Sequence, residues 1–573
     1  MTSGAAASAL SSLVEAEATL LSGVELPAPA ATDAQSAEPR YSAAQADDVQ
    51  GIVWPGFNKD HQSFLFLRIG DDVAAVHAWL AWLAPQLASM TEVLRFRTAF
   101  RAERLRTGLR EPDMSSTWTA AAFSAAGLRA LVGEAEVERF GDESFRQGLA
   151  ARSAYLGDPP DAGLPGHVSR WVVGGPGNEP DALVIVAADS GTARDRAVED
   201  LLRGSAARGV EPLFVQQGDT LPPPLQGHEH FGFKDGVSQP ALRGQLAETG
   251  ELLSPRYLAE DDPRSGIFGR PGQPLLWPGQ LLLGEPRQDP LDPEKPAARA
   301  TNFPAWARRG SYLVCRRLAQ DVEGFWDFVT SVADAAGALP VRIASMMVGR
   351  WPSGAPLIRS PEADDRALAG DDFANNHFLF DDDTRPSRLD PIPGYPGDVH
   401  PPGRGDVFGR VCPHAAHIRK VNPRDSATDF GAPADTFLRL MLRRGIPYGP
   451  PVAGVAEPSP ELANAERGLV FAAVMSSIED QFEFVSRRWC NSAVQPNLGG
   501  LDPIIGQRNR HGRRERPVEL ATPDGARLPV EMTTDFVVPT GGGYFFAPTI
   551  SALTGGLAGA VDAVTATTSM QSL

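Results

Sequence analysis

Two histidines stand three residues apart in the stretch Val411-Cys-Pro-His-Ala-Ala-His-Ile-Arg-Lys-Val-Asn-Pro-Arg424. Positions i and i+3 face one side of a helical turn, and Pro423 ends that turn. A neutral imidazole there could ligate a metal or a haem iron. It could equally be a core or surface histidine satisfied by hydrogen bonds. Cys412 beside His414 suggests zinc, yet no further Cys/His cluster follows to complete a tetrahedral site. One axial histidine on a haem needs no such cluster, because the porphyrin supplies the other in-plane ligands.

A second candidate is the aspartate of Gly232-Phe-Lys-Asp-Gly236. Asp-Gly is a turn signal, and the plain reading is a solvated surface turn. Against it, Phe231, Phe233 and Val237 surround Asp235 with apolar neighbours, and two glycines permit close approach of the backbone. A carboxylate so placed could shuttle a proton. The third candidate is Leu442-Arg-Arg-Gly-Ile-Pro-Tyr-Gly449. Its punctuation is that of a helix C-terminus, with cations in the last turn, Gly445 as the cap and Pro447 blocking continuation. A permanently charged, five-donor guanidinium there could also stabilise peroxide or an oxidised oxygen.

The elements that must position these residues come in two runs. In the first, Ser63–Ile69 is a strand candidate. Asp71 and Asp72 are placed to cap a helix that Pro85 kinks. Ala182–Asp189 is a second strand, followed by a helix near 192–203 and a strand over Val210–Asp219. In the second run, Ser311–Arg317 is a strand, a helix extends from Asp321 to Ala336, Gly468–Met475 is a buried strand, and 541–553 closes the unit. The repeated strand–helix–strand plan predicts an α+β fold of two similar halves. The expected segments are a flexible leader over 1–45, an N-terminal unit over 46–240, a Pro/Gly-rich arm over 241–305 packed about Trp277, and a C-terminal unit over 306–573 with loop insertions.

Composition narrows the field. The chain has 573 residues and a net charge of −18, which argues against nucleic-acid binding. The one basic run, Arg508–Arg516, reads as a solvated loop. Cys315, Cys412 and Cys490 form no C-x-x-C, so a disulfide scaffold, a zinc ribbon and covalent c-type haem attachment are excluded. No apolar run approaches the roughly 20 residues of a membrane span, and the N-terminus lacks the cationic start of a secretion signal. A cytoplasmic protein is expected. The sequence contains no G-x-S-x-G, H-E-x-x-H, P-loop or post-strand G-x-G-x-x-G motif.

Taken in order, the three stretches resemble the dye-decolourising peroxidase family. Gly232-Phe-Lys-Asp-Gly236 matches its G-x-x-D-G signature, His417-Ile-Arg-Lys-Val-Asn-Pro-Arg424 the segment carrying its proximal haem ligand, and Arg443 its distal arginine. Further matches are Asp48-Val-Gln-Gly51, Gly349-Arg-Trp-Pro-Ser-Gly-Ala-Pro356, Ser477-Ile-Glu-Asp-Gln-Phe-Glu-Phe484 and Gly543-Tyr-Phe-Phe-Ala-Pro548. The resemblance covers residues 46–555, in the larger, long-loop form of the family. The leader and the insert around 505–530 have no counterpart in it.

The resemblance implies two ferredoxin-like domains of the dimeric α+β barrel type, with one non-covalent haem b held mainly by the second. It implies a peroxidase that reduces hydrogen peroxide to water and oxidises aromatic, phenolic or dye-like reductants one electron at a time. His417 becomes the proximal ligand, with His414 a possible competitor. Asp535, or else Glu531, becomes the carboxylate that receives its other ring N–H. Asp235 and Arg443 become the distal proton shuttle and charge stabiliser. Leu469 and Phe471 wall the distal pocket, while Gly232, Gly236 and Arg419 lie along the cofactor. An aspartate in the shuttle role suits activity on the acid side. Tyr448 is either a core aromatic or an electron relay to bulky dyes; Trp351 and Trp489 read as core aromatics. An oligomer is possible. The alternative is a haem-binding or iron-handling protein with incidental peroxidase activity, which would need neither Asp235 nor Arg443.

Overall fold

The computed structural model describes residues 38–109, 113–428, 433–452, 462, 464–507, 516–522 and 526–558. Most of the leader and of the basic run 508–516 lies outside the described residues. The leader as drawn runs too far, since Arg40–Tyr41 pairs in parallel with Gln245–Leu246, and Ser42 caps a helix over Ala43–Asp48.

The first half is built from β1 (His61–Ile69), α1 (Val73–Leu83), α2 (Met90–Thr107), β2 (Thr117–Phe123), β3 (Ala182–Ala188), α3 (Gly191–Ala206) and β4 (Val210–Asp219). Asp72 caps α1, its carboxylate accepting the N–H groups of Ala74 and Ala75 at 3.0 and 3.2 Å. Pro85 does not kink one long helix. It ends α1 in a 3-10 turn over Ala84–Gln86, and Ser89 then caps a separate α2.

The second half repeats the plan with β5 (Ser311–Gln320), α4 (Val322–Ala336), α5 (Pro340–Val348), α6 (His417–Val421), β6 (Leu442–Arg443), β7 (Ile446–Tyr448), β8 (Gly468–Met475), β9 (Arg516–Ala521), β10 (Arg527–Met532) and β11 (Val537–Ala547). One expectation is corrected here. The Arg443–Tyr448 stretch is not a helix terminus: both its flanks pair with β8, because an edge position beside that buried strand satisfies the backbone better than a further turn. The insert around 505–530 contains a regular hairpin, β9 with β10, whose alternating Val518, Leu520, Val530 and Met532 are buried.

Within each half the sheet follows the ferredoxin order, β2–β3–β1–β4 and β6–β8–β5–β11, all antiparallel. The two sheets meet edge to edge through a single residue pair, Phe546 with Phe123. At the far edge Gly218 of β4 lies against Ile446 of β7, so the joined sheet curves back on itself. One face buries Phe64, Phe66, Ile185, Leu313, Val470 and Phe545; the other packs Val184, Val314, Tyr312 and Phe546 against helices carrying Trp79, Leu128 and Phe145. Burial on both faces explains why β1 and β3 are continuous apolar runs rather than alternating ones. Trp277, in the arm, is buried as expected.

Candidate active site

His417 opens α6. Pro413 starts the preceding turn, whose C=O accepts the Ala416 N–H at 2.9 Å, and the imidazole leaves the first helical position. Its Nδ1 lies 2.8 Å from Oδ2 of Asp502. Neither Asp535 nor Glu531 is the partner. Asp535 pairs with the buried Arg516 at 3.0 Å, and Glu531 is exposed on β10, where the register points it opposite Pro517. Asp502 is fully buried, and its other oxygen accepts the N–H groups of Ile504 and Ile505 at 2.8 and 3.0 Å. Burial alone would lift its carboxyl, but the adjacent His417 and those donors hold it below the usual carboxylate range. Burial opposes charge on the His417 ring too, and Asp502 more than offsets it.

A carboxylate acceptor fixes Nδ1 as the protonated nitrogen and leaves Nε2 with its lone pair. Among the described residues nothing bonds Nε2, and 29% of the side chain remains open. His414 is committed elsewhere. Its Nδ1 and Nε2 lie 2.9 and 3.0 Å from the carbonyl oxygens of Leu498 and Val407. Arg419 is also turned away from a cofactor role. It is 1% exposed, donates to the carbonyls of Asp406 and Cys412 at 3.0 and 2.9 Å, and reaches Asp381 at 3.1 Å. Its guanidinium braces the loop that delivers His417.

Asp235 sits in an open turn set by glycine. Gly232 and Gly236 have φ of +94° and +74°, and a Cβ at either would meet no protein atom within 4 Å, so conformation rather than crowding demands glycine there. The turn is anchored below by Phe231, which stacks on Phe325 of α4 at 4.4 Å. Arg443 is bracketed by Gln239, whose amide accepts its N–H and donates to its C=O at 3.2 and 3.3 Å. The guanidinium donates to the Ser238 carbonyl at 3.1 Å and stands 3.8 Å from Asp235. The charges of Arg443 and Asp235 both act on the His417 ring, which places the three within one electrostatic neighbourhood.

Cross-strand partners share a sheet face. Arg443 pairs with Ala473, Phe471 with Arg316 and Leu469 with Leu318, so Arg443, Leu469 and Phe471 project from one face of β8. On that strand Val470 and Ala472 are buried while Leu469 and Phe471 are only half-buried, which leaves open space beside them. Tyr448 pairs with Gly468 and therefore projects from the opposite face. Its ring is buried under the Arg317 guanidinium, 4.3 Å away, at the edge of a cleft of about 530 Å³ that Gln216, Thr220 and Glu466 also line. Trp351 and Trp489 are core residues, 4% and 0% exposed.

The donor set suits a haem: one imidazole lone pair, a buried carboxylate behind it, an open apolar wall, and a distal carboxylate–guanidinium pair. Asp502 was not visible in the sequence as a site residue. Its only local signal is an Asx-type turn at Asp502-Pro503, and its bond to His417 spans 85 residues.

A family model described as the DyP dimeric alpha+beta barrel domain matches residues 48–214. Peroxidase 2 of Mycetinis scorodonius is 31% identical over 519 residues, covering 88% of this chain and 86% of that protein. The multifunctional dye peroxidase DyP2 of an Amycolatopsis species is 28% identical over 89% of this chain and 96% of its own. The crystal structure of a DyP-type peroxidase from Auricularia auricula-judae superposes with a TM-score of 0.64 at 29% identity, covering 90% of this chain and 99% of that one. With that extent of likeness joined to this arrangement of His417, Asp235 and Arg443, the chain belongs to the dye-decolourising peroxidase family and is a haem peroxidase.

Proposed function

We propose that the chain holds one non-covalent haem b through Nε2 of His417 and uses it to reduce hydrogen peroxide at the expense of aromatic, phenolic or dye-like donors. The observation that carries this is the His417–Asp502 pair with its open Nε2 in the field of Asp235 and Arg443. Bound there, the haem supplies the iron at which peroxide is cleaved and the oxidising equivalents are stored. Asp502 fixes the tautomer and orientation of His417 and increases its electron donation. Asp235 would accept a proton from bound peroxide and return it to the oxygen that leaves as water. Arg443 stabilises the negative charge that develops as the O–O bond breaks. Leu469 and Phe471 keep bulk water out.

Donors too large for this interior need an electron path to the surface. Tyr448, at the edge of the Arg317–Glu466 cleft, provides one on the sheet face opposite Phe471.

An absorption spectrum before and after one equivalent of peroxide tests the reading. The Soret band should shift and then return on adding a phenol. His417→Ala should lose the Soret band and His414→Ala should keep it; the reverse pattern overturns the ligand assignment.

A further inference from the structure

Phe471 also begins a second chain of contacts, which leads away from Tyr448. Its ring lies 5.8 Å from Phe482, and Phe482 lies 6.1 Å from Tyr544 in a T-shaped arrangement. Tyr544 pairs with Val314 in the sheet, on the face that carries Phe471, and is 1% exposed. Its hydroxyl donates to Oε1 of Glu483 at 3.0 Å. Glu483 is buried and also accepts from Ser144 Oγ at 2.8 Å and Arg152 Nε at 3.0 Å. The Arg152 guanidinium then lies 4.0 Å over the ring of Tyr155, and Arg487 lies 3.9 Å over the same ring. Two guanidinium groups that close to one centroid must cover opposite faces. Tyr155 itself is 41% exposed.

Each link suits the movement of charge. A buried phenol is hard to oxidise because its cation radical is a very strong acid with nowhere to discharge its proton. A carboxylate already bonded to the hydroxyl removes that obstacle, since electron and proton can leave together. Burial beside Glu483 keeps the Tyr544 phenol protonated until then. The carboxylate that takes the proton is held by Arg152 and Ser144. Electron tunnelling falls steeply with distance, and this chain breaks the path from Phe471 to the surface into steps between neighbouring groups.

We propose that Tyr544 and Tyr155 form an electron exit separate from Tyr448, and that the Tyr155 edge, framed by Arg152 and Arg487, receives anionic aromatic donors such as sulfonated dyes. The inference rests on the peroxidase reading, which supplies the oxidising equivalent at the Phe471 face. Tyr544 gives up one electron toward that face and its phenolic proton to Glu483. Tyr155 then reduces the Tyr544 radical, losing its own proton to solvent, while the proton on Glu483 returns to Tyr544. The bound donor passes one electron to the Tyr155 radical, which regains a proton from water. The net change is one donor molecule oxidised by one electron for each equivalent consumed. The exposed guanidinium of Arg487 supplies the positive charge that attracts a sulfonate or carboxylate, while Arg152 is paired with Glu483.

The test uses haem-loaded full-length protein treated with peroxide and a nitroso spin trap, followed by peptide mass spectrometry. Wild type should carry adducts on Tyr155. Tyr155→Phe removes the acceptor position. Tyr544→Phe and Glu483→Gln should each reduce Tyr155 labelling at least fivefold while Tyr448 labelling persists. Turnover of a sulfonated anthraquinone dye should fall by a similar factor in Tyr155→Phe, and an Arg487→Ala variant should raise KM for that dye but not for an uncharged phenol. Unchanged Tyr155 labelling and dye turnover in Tyr544→Phe and Glu483→Gln, with the Soret band still responding to peroxide, overturns the proposal. A wild-type Soret band that ignores peroxide overturns the peroxidase reading and this inference with it.

Discussion

Asp502 lies behind His417, Oδ2 to Nδ1 at 2.8 Å, although 85 residues separate them. That bond decides which ring nitrogen keeps its lone pair free. Asp502→Asn keeps the size of the side chain and removes its charge, so haem affinity or peroxide reactivity should fall roughly 10- to 100-fold. Asp535→Asn, which loosens the Arg516 pair instead, should leave both unchanged. Haem titration followed by stopped-flow mixing with peroxide measures both variants.

The distal pair should separate binding from chemistry. Asp235→Asn and Arg443→Leu leave His417 and Asp502 intact, so both variants should retain the Soret band. Their rate constants for reaction with peroxide should drop on the order of 10²- to 10³-fold. Since Asp235 and Arg443 stand 3.8 Å apart, the double variant should lose less than the sum of the single losses.

Glu229 gives the Asp235 turn its own pH dependence. Burial raises its carboxyl to about 7, against the N–H groups of Phe231 and Phe233 and the Gln320 amide that favour the anion. A carboxyl raised in the folded state stabilises the fold fully below its unfolded value, near 4.5, and that stability is lost as pH rises through about 7. At about 1.4 kcal/mol per pH unit the loss is at most about 3 to 4 kcal/mol, reduced by partial solvent screening. Thermal melts between pH 4 and 8 should show this slope in wild type and a flatter one in Glu229→Gln.

Arg419 should prove structural. Removing its guanidinium leaves the carbonyls of Asp406 and Cys412 and the Asp381 carboxylate without their donor. Arg419→Ala should cost on the order of 3 kcal/mol in denaturant unfolding. Arg419→Lys should recover only part of that, because an ammonium cannot reproduce the fork.

Tyr448 should matter for large donors. Tyr448→Phe keeps the ring under Arg317 but removes the hydroxyl. Its turnover of a bulky dye should fall several-fold, while the first reaction with peroxide, read at the Soret band, should proceed as in wild type. A dye rate equal to wild type would assign Tyr448 to the core.

Much of the fold was written in local patterns. The runs at Ser63–Ile69 and Gly468–Met475 are strands because apolar, partly β-branched residues fill a sheet covered on both sides, and Asp72 and Asp321 cap helices where their sequences place them. Arg443 misled at the local level because cations followed by Gly and Pro mark a helix end, and only pairing with β8 overrides that signal. Glycines and a short turn singled out Asp235 and His417, but the local pattern fits a surface turn and an ordinary histidine equally well, and only the resemblance of the three ordered stretches gave them roles. Asp502 was not singled out, because a carboxylate in an Asx turn carries the same local signature whether or not an imidazole reaches it from a distant segment. Arg419 shows the converse. Its place beside the ligand suggested cofactor contact, but side chains at successive helical positions point in different directions.

The edge-to-edge join through Phe546 and Phe123 has a consequence for when the protein becomes competent during its assembly. His417, Asp502 and Arg443 all belong to the later half of the chain, whereas Asp235 follows the last strand of the earlier half and is set by packing of Phe231 on α4. A later half that folded first would hold the His417–Asp502 pair and Arg443 but not Asp235. The full set of His417, Asp502, Arg443 and Asp235 is thereby brought together only once both halves are docked.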